Sequence, residues 1–168
     1  MPRTPAGHVG TLGDVEASLR RLAPPLHARG WHVQWYVQAD LLPRLAAWQA
    51  SSGLRFVLDH LAGLGTDVPD HHPAWAAARA LADAGAWIKL SGWYRLGSTA
   101  PHADLHPRIR RAAALFGRHM VWGSDWPHTS FQPARMPPYA STLDPVRAAL
   151  GSPTLDAALH AQAPSLYT

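Results

Sequence analysis

The stretch Leu41-Leu42-Pro43-Arg44-Leu45-Ala46-Ala47-Trp48-Gln49-Ala50, closed by Ser51-Ser52-Gly53 and followed at once by Leu54-Arg55-Phe56-Val57-Leu58-Asp59-His60, decides the fold. Its first part has helical period and its glycine is a stop signal. The short apolar run after the glycine reads as a strand. Upstream, His32-Val33-Gln34-Trp35-Tyr36-Val37 alternates and is rich in β-branched and aromatic residues, which fits a strand. Before it, Leu12 to Gly30 carries Val15, Leu19, Leu22 and Leu26 at spacings of three to four, predicting a helix disturbed at Pro24-Pro25 and stopped by Gly30.

Downstream the alternation continues. An alanine-rich helix is expected from Ala74 to Ala84, a strand at Trp87-Ile88-Lys89-Leu90-Ser91, and a helix from Asp104 to Phe116 stopped by Gly117. A fourth strand is expected at His119-Met120-Val121-Trp122-Gly123-Ser124. A proline-rich loop from Pro127 to Pro138 then leads to short helices at Pro145 to Leu150 and Thr154 to His160. Strand and helix in strict alternation imply an α/β fold with a parallel sheet.

The chain has 168 residues, 47% of them hydrophobic, enough for one packed domain. It contains no cysteine, which excludes disulfides, thiolate metal sites and a catalytic thiol. No apolar stretch approaches the roughly 18 residues of a membrane span, and Met1-Pro2-Arg3-Thr4-Pro5 lacks a secretory core. A cytoplasmic protein without membrane contact is the expectation. The net charge is +4, with Lys89 the only lysine and Glu16 the only glutamate. Arginines cluster only at Arg20-Arg21 and at Arg108, Arg110 and Arg111. Both groups fall on predicted helices, where a solvated face explains them, so no nucleic-acid partner is expected.

In parallel α/β sheets the chemistry sits beyond the carboxyl ends of the strands. Those ends carry Tyr36, His60, Ser91 with Arg95 shortly after, and Asp125. The groups recur about once per β/α unit and should therefore lie side by side. Residue alternation puts Gln34 and Tyr36 on one face and Val33, Trp35 and Val37 on the other. Lys89 and Ser91 oppose Ile88 and Leu90 in the same way, and Asp125 shares a face with Gly123 and Val121. The second strand is ambiguous, since either Asp59 or His60 could face the mouth. Each group also has a structural reading: a hydrogen-bonded histidine, a turn-forming aspartate, a half-buried tyrosine, a surface arginine.

The blocks Gly30-Trp31-His32-Val33-Gln34, Val57-Leu58-Asp59-His60, Trp87-Ile88-Lys89-Leu90-Ser91-Gly92-Trp93-Tyr94-Arg95 and Val121-Trp122-Gly123-Ser124-Asp125-Trp126-Pro127-His128 resemble the amidohydrolase-related family. The branch they resemble contains 2-pyrone-4,6-dicarboxylate lactonase. The last block is the most specific. The resemblance runs from about Thr4 to the C-terminus, where Ala163-Pro164-Ser165-Leu166-Tyr167 is a degraded form of the family's ending. It implies a partial TIM barrel, the C-terminal four β/α units (strands five to eight) of a (β/α)8 barrel, forming one domain over residues 1–168. By the same resemblance Asp125 is a general base on water and His60 helps to polarise the scissile carbonyl. Tyr36 and Arg95 hold the carboxylates of a small lactone or related carbonyl substrate.

A complete barrel needs about 250 residues. The family's first-strand His-x-His and its fourth-strand arginines have no counterpart here, so the chain is expected to be N-terminally truncated and impaired in hydrolysis. No cofactor is expected, and a divalent metal would need ligands from the missing half. His71-His72 and His102-x3-His106 are the other histidine pairs; the second has the spacing of zinc ligands, but Pro107 and the lack of a nearby glutamate favour a solvated helix start. Gly123-Ser124-Asp125 lacks a nucleophile elbow and no phosphate loop is present. The competing expectation is a non-catalytic half-barrel that forms a homodimer through exposed sheet edges or complements a separate N-terminal half.

Overall fold

The computed structural model describes residues 11–128, 131–132 and 136–167. The proline-rich loop expected over 127–138 lies in part outside them. Helix α1 (Leu12–His27) begins at Thr11, whose side chain accepts from the Asp14 amide while the Asp14 carboxylate accepts from the Thr11 amide at 2.7 Å. Such a reciprocal cap is worth about 1 kcal/mol. Strands β1 (Val33–Trp35), β2 (Phe56–Leu58), β3 (Trp87–Leu90) and β4 (Met120–Trp122) alternate with α2 (Leu42–Ser52), α3 (Pro73–Asp83) and α4 (His106–Phe116). The chain closes with α5 (Asp144–Leu150), α6 (Ser152–Asp156), a π-helical turn (Ala157–Ala161) and α7 (Gln162–Tyr167).

The strands form one parallel sheet in the order β1-β2-β3-β4, with Trp35 beside Leu58, Leu58 beside Ile88 and Leu90 beside Trp122. This is the α/β architecture that the alternation predicts. One face, built from Phe56, Leu58, Ile88, Leu90 and Met120, packs against the helices in the main core, and Val33, Trp35 and Val37 join it as their alternation requires. The other face is smaller and holds Val57, Trp87 and Val121 under Leu166 of α7. Arg55 donates to the Leu166 carbonyl at 3.1 Å and fixes the helix there.

Three expectations are corrected. α1 runs through Pro24 and Pro25 to His27; each proline forgoes the bond its amide would make to the carbonyl four residues back, but both sit in the last turn, so only two helical residues follow them. The helix expected at Thr154 to His160 is divided into α6 and the π-helical turn, and the chain stays helical to Tyr167. The arginines of α4 are only in part a solvated stripe: Arg110 is exposed, and Arg108 and Arg111 are half-buried. Arg108 donates to the carbonyls of Gly65, Thr66 and Val68, and Arg111 stacks 4.0 Å over the Trp75 ring. Arg108 and Arg111 tie loops to helices.

Candidate active site

All four strands deliver their polar ends to one side of the sheet. β3 runs into a short helical turn over Trp93–Arg95, entered through Gly92 at φ 63°, and this turn brings Tyr94 and Arg95 back over the sheet end. Beyond β4, Asp125 takes a left-handed φ of 57° and meets them. Tyr94 donates its hydroxyl hydrogen to Asp125 Oδ2, and Arg95 Nε donates to the same oxygen at 2.7 Å. The other carboxylate oxygen, Oδ1, stands 3.6 Å from His60 Nε2. The His60 ring packs edge-on against Tyr36 at 4.9 Å, and the Arg95 guanidinium lies 5.4 Å over Tyr36 and 5.0 Å over Tyr94. Tyr36, His60, Arg95 and Asp125 are therefore neighbours.

His60 reaches the mouth by an unusual route. In phase with Phe56 and Leu58, it would point into the helix layer. Instead His60, Leu61, Ala62 and Gly63 form one left-handed turn, with φ of 51°, 51°, 57° and 70°. Left-handed conformation costs roughly 1–2 kcal/mol for each residue bearing a Cβ, and such strain is held where surrounding structure over-determines it. Here Leu61 and Ala62 are fully buried, and at Gly63 a Cβ would stand 2.7 Å from the Val37 carbonyl oxygen.

The turn resolves the ambiguity of the second strand, because Asp59 and His60 both face the mouth side. Asp59 accepts from Gln34 Nε2 at 2.9 Å and pairs with Lys89 Nζ at 2.6 Å, so the lone lysine is partnered inside the sheet face. Gly123 makes room for it, since a Cβ there would stand 2.9 Å from Lys89 Cδ. Ser91, wholly buried, lies 3.0 Å from His60 Nδ1.

These contacts set the charges. Partial burial works against ionised Asp125, but the hydrogen bonds from Tyr94 and Arg95, with the charge of the Arg95 guanidinium, outweigh it and hold its carboxyl below the usual carboxylate range. Burial pushes His60 down despite Asp125 and Asp59, so its ring is neutral at neutral pH. Burial and the bond to Asp125 push the Tyr94 phenol well up, which keeps its proton in place. The arrangement is an ionised carboxylate beside a neutral imidazole.

Tyr94 is the group that reading the strand ends overlooked. Its signal was Gly92 after the β3 run, which permits the reversal. Tyr94 also walls an adjoining cleft of about 850 Å³ with Trp93, Phe131, Met136, Pro138 and Thr142. The other histidine pairs lie apart. His72 caps α3 by accepting from the Ala74 amide at 3.2 Å. His102 precedes α4 and bonds to Ser98, so it does not share a helix face with His106.

The sequence profile of the family described as amidohydrolase matches residues 4–162. The chain belongs to the amidohydrolase family. This amidohydrolase is similar to lactone-acting members. It is 32% identical over 132 residues to D-galactarolactone isomerase of Agrobacterium fabrum (strain C58), covering 75% of this chain and 42% of that protein. It is 30% identical over 110 residues to 4-sulfomuconolactone hydrolase of Rhizobium radiobacter, covering 64% and 37%. An amidohydrolase from Burkholderia multivorans, solved with bound zinc, superposes with a TM-score of 0.72 at 25% identity over 92% of this chain and 60% of that one. The chain thus spans about two fifths of the length of these curated relatives. No helix among the described residues is long and apolar enough to cross a membrane.

The donors among the described residues do not by themselves make up a metal site. Among the described residues no three His, Cys, Asp or Glu side chains converge. At the mouth, one oxygen of Asp125 already serves Tyr94 and Arg95, and the guanidinium would repel a second cation.

Proposed function

We propose that this amidohydrolase hydrolyses a carboxylated lactone or a similar ester-like carbonyl compound. The observation that carries this is the pairing of Asp125 Oδ1 with His60 Nε2 at 3.6 Å, with the second carboxylate oxygen clamped by Tyr94 and Arg95. A gap of 3.6 Å is too long for a hydrogen bond, which leaves both atoms directed at the mouth. Asp125 takes a proton from water as the water oxygen bonds to the carbonyl carbon. His60, donating from Nε2, stabilises the oxyanion that forms. Collapse breaks the ring C–O bond, and the proton held by Asp125 passes to the departing oxygen. Arg95 and Tyr36 bind the substrate carboxylate, the guanidinium by charge and the phenol by its hydroxyl.

In the same reading residues 1–168 form a single domain, and its four β/α units correspond to strands five to eight of a (β/α)8 barrel. The parallel order and the convergence of polar groups at one end support it. Incubation of the protein with 2-pyrone-4,6-dicarboxylate, 4-sulfomuconolactone and D-galactarolactone, with ring opening followed by absorbance or chromatography, tests the activity. Turnover of at least one lactone is expected; none with any of the three, under conditions where the protein is folded, overturns the proposal.

A second reading, a non-catalytic half-barrel that associates with itself, rests on β1 and β4, each with one strand neighbour among the described residues, and on exposed Trp31 and Trp126. A dimer that turns over no lactone is its signature.

A further inference from the structure

Ser91 touches neither the mouth nor the proposed substrate, yet its hydroxyl is committed to the ring of His60. It is fully buried, and His60 Nδ1 is the only hydrogen-bond partner of its side chain among the described residues. A hydroxyl has one hydrogen to give, and leaving a buried donor unpaired costs about 1–3 kcal/mol. With no other acceptor in reach, that hydrogen points to Nδ1, which must then be the bare nitrogen of the neutral ring. The ring hydrogen is left on Nε2. The opposite side of the ring agrees, because Nε2 faces the anionic Asp125 at 3.6 Å.

The ring cannot readily turn to exchange its nitrogens. Gly92, at φ 63°, presses against it so closely that a Cβ there would stand 2.7 Å from His60 Cγ. Tyr36 covers another side at 4.9 Å. We propose that Ser91 is a positioning residue that fixes His60 as the Nε2–H tautomer and so makes the nitrogen at the mouth a hydrogen-bond donor. Its catalytic consequence rests on the lactonase reading, but the tautomer itself does not. In the opposite tautomer Nε2 would be a lone pair facing a carboxylate and could only repel a carbonyl oxygen.

The test is a two-bond 1H–15N correlation spectrum of the histidine rings of the whole chain at neutral pH, with a titration of His60. The groups that face His60 and act on that titration are Asp59, Lys89, Arg95 and Asp125, with Tyr36 against the ring. The wild-type protein is expected to show His60 protonated on Nε2. In Ser91→Ala, where Nδ1 has no hydroxyl to accept from in the neutral ring or to donate to in the charged one, the Nδ1–H form should appear beside the Nε2–H form and the titration should move. Ser91→Thr, which keeps the hydroxyl, should restore the wild-type pattern. An Nδ1–H signal for His60 in the wild-type protein overturns the proposal, and so does a Ser91→Ala spectrum and titration unchanged from wild type. The wild-type spectrum decides even if the alanine variant fails to fold. Absence of lactone turnover alongside the expected tautomer would count against the proposed activity alone.

Discussion

Arg95 donates through Nε to Asp125 Oδ2 at 2.7 Å, which joins the cation of the mouth and its carboxylate into one electrostatic unit. The arginine read from the sequence as a substrate ligand thus also sets the proton affinity of the proposed base. On Asp125 that contact has two opposing effects, since what keeps the carboxylate ionised also makes it a weaker base.

Replacement Arg95→Gln should therefore move the Asp125 carboxyl upward. The acid limb of the kcat/KM profile is expected to shift to higher pH, together with a rise in KM from the lost carboxylate contact. A pH profile of the variant checks this. An acid limb that stays in place would remove Arg95 from the control of Asp125.

Stability should fall as the solution is acidified. The folded state lowers the proton affinities of both His60 and Asp125, so the unfolded chain binds more protons in acid. Stability from His60 is fully present above about pH 6.5. It is lost as pH falls through the lower folded value, and that from Asp125 follows at more acid pH. Urea midpoints between about pH 7 and about pH 4 should decline steadily. A flat series would contradict the charge assignment.

At Gly92 a side chain would meet both a left-handed backbone and the His60 ring. Gly92→Ala is expected to cost about 1–3 kcal/mol of stability and to shift the His60 ring resonances. Equilibrium urea unfolding measures the first and ring spectra the second. A variant within about 0.5 kcal/mol of wild type would show that the turn relaxes around the methyl group.

Among the described residues β1 and β4 each have a strand neighbour on one side only, which predicts association. Sedimentation at micromolar concentration should find a species heavier than the 18.2 kDa monomer. A monodisperse monomer would show that the edges are blunted without a partner.

The layout of the sheet was legible because alternation is a local property. Val33, Trp35 and Val37, then Ile88 and Leu90, take the helix-packed face that their parity assigns. Asp125 was legible as the polar group after the fourth strand but not by parity, since β4 ends at Trp122 and the residue itself takes a left-handed φ of 57°. The position of His60 was not. Its parity is wrong for the mouth, and the left-handed turn that corrects it runs through Leu61 and Ala62, residue types with no preference for that conformation. The tertiary packing of those two side chains determines the turn. Tyr94 was missed, and Ser91, read as a strand end, was given no role, because their roles exist only across strands, in contacts to Asp125 and His60 about thirty residues away. The course of α1 through Pro24-Pro25 depended on where the helix would end, which the tripeptide Ala28-Arg29-Gly30 signals only loosely.

The most direct measurement is kcat/KM for lactone hydrolysis by Asp125→Asn beside the wild-type protein. The amide preserves shape but cannot accept the proton of water, and the account predicts a loss of about 10² to 10⁴-fold with the fold retained by circular dichroism. Hydrolysis by the variant within a few-fold of wild type would contradict it.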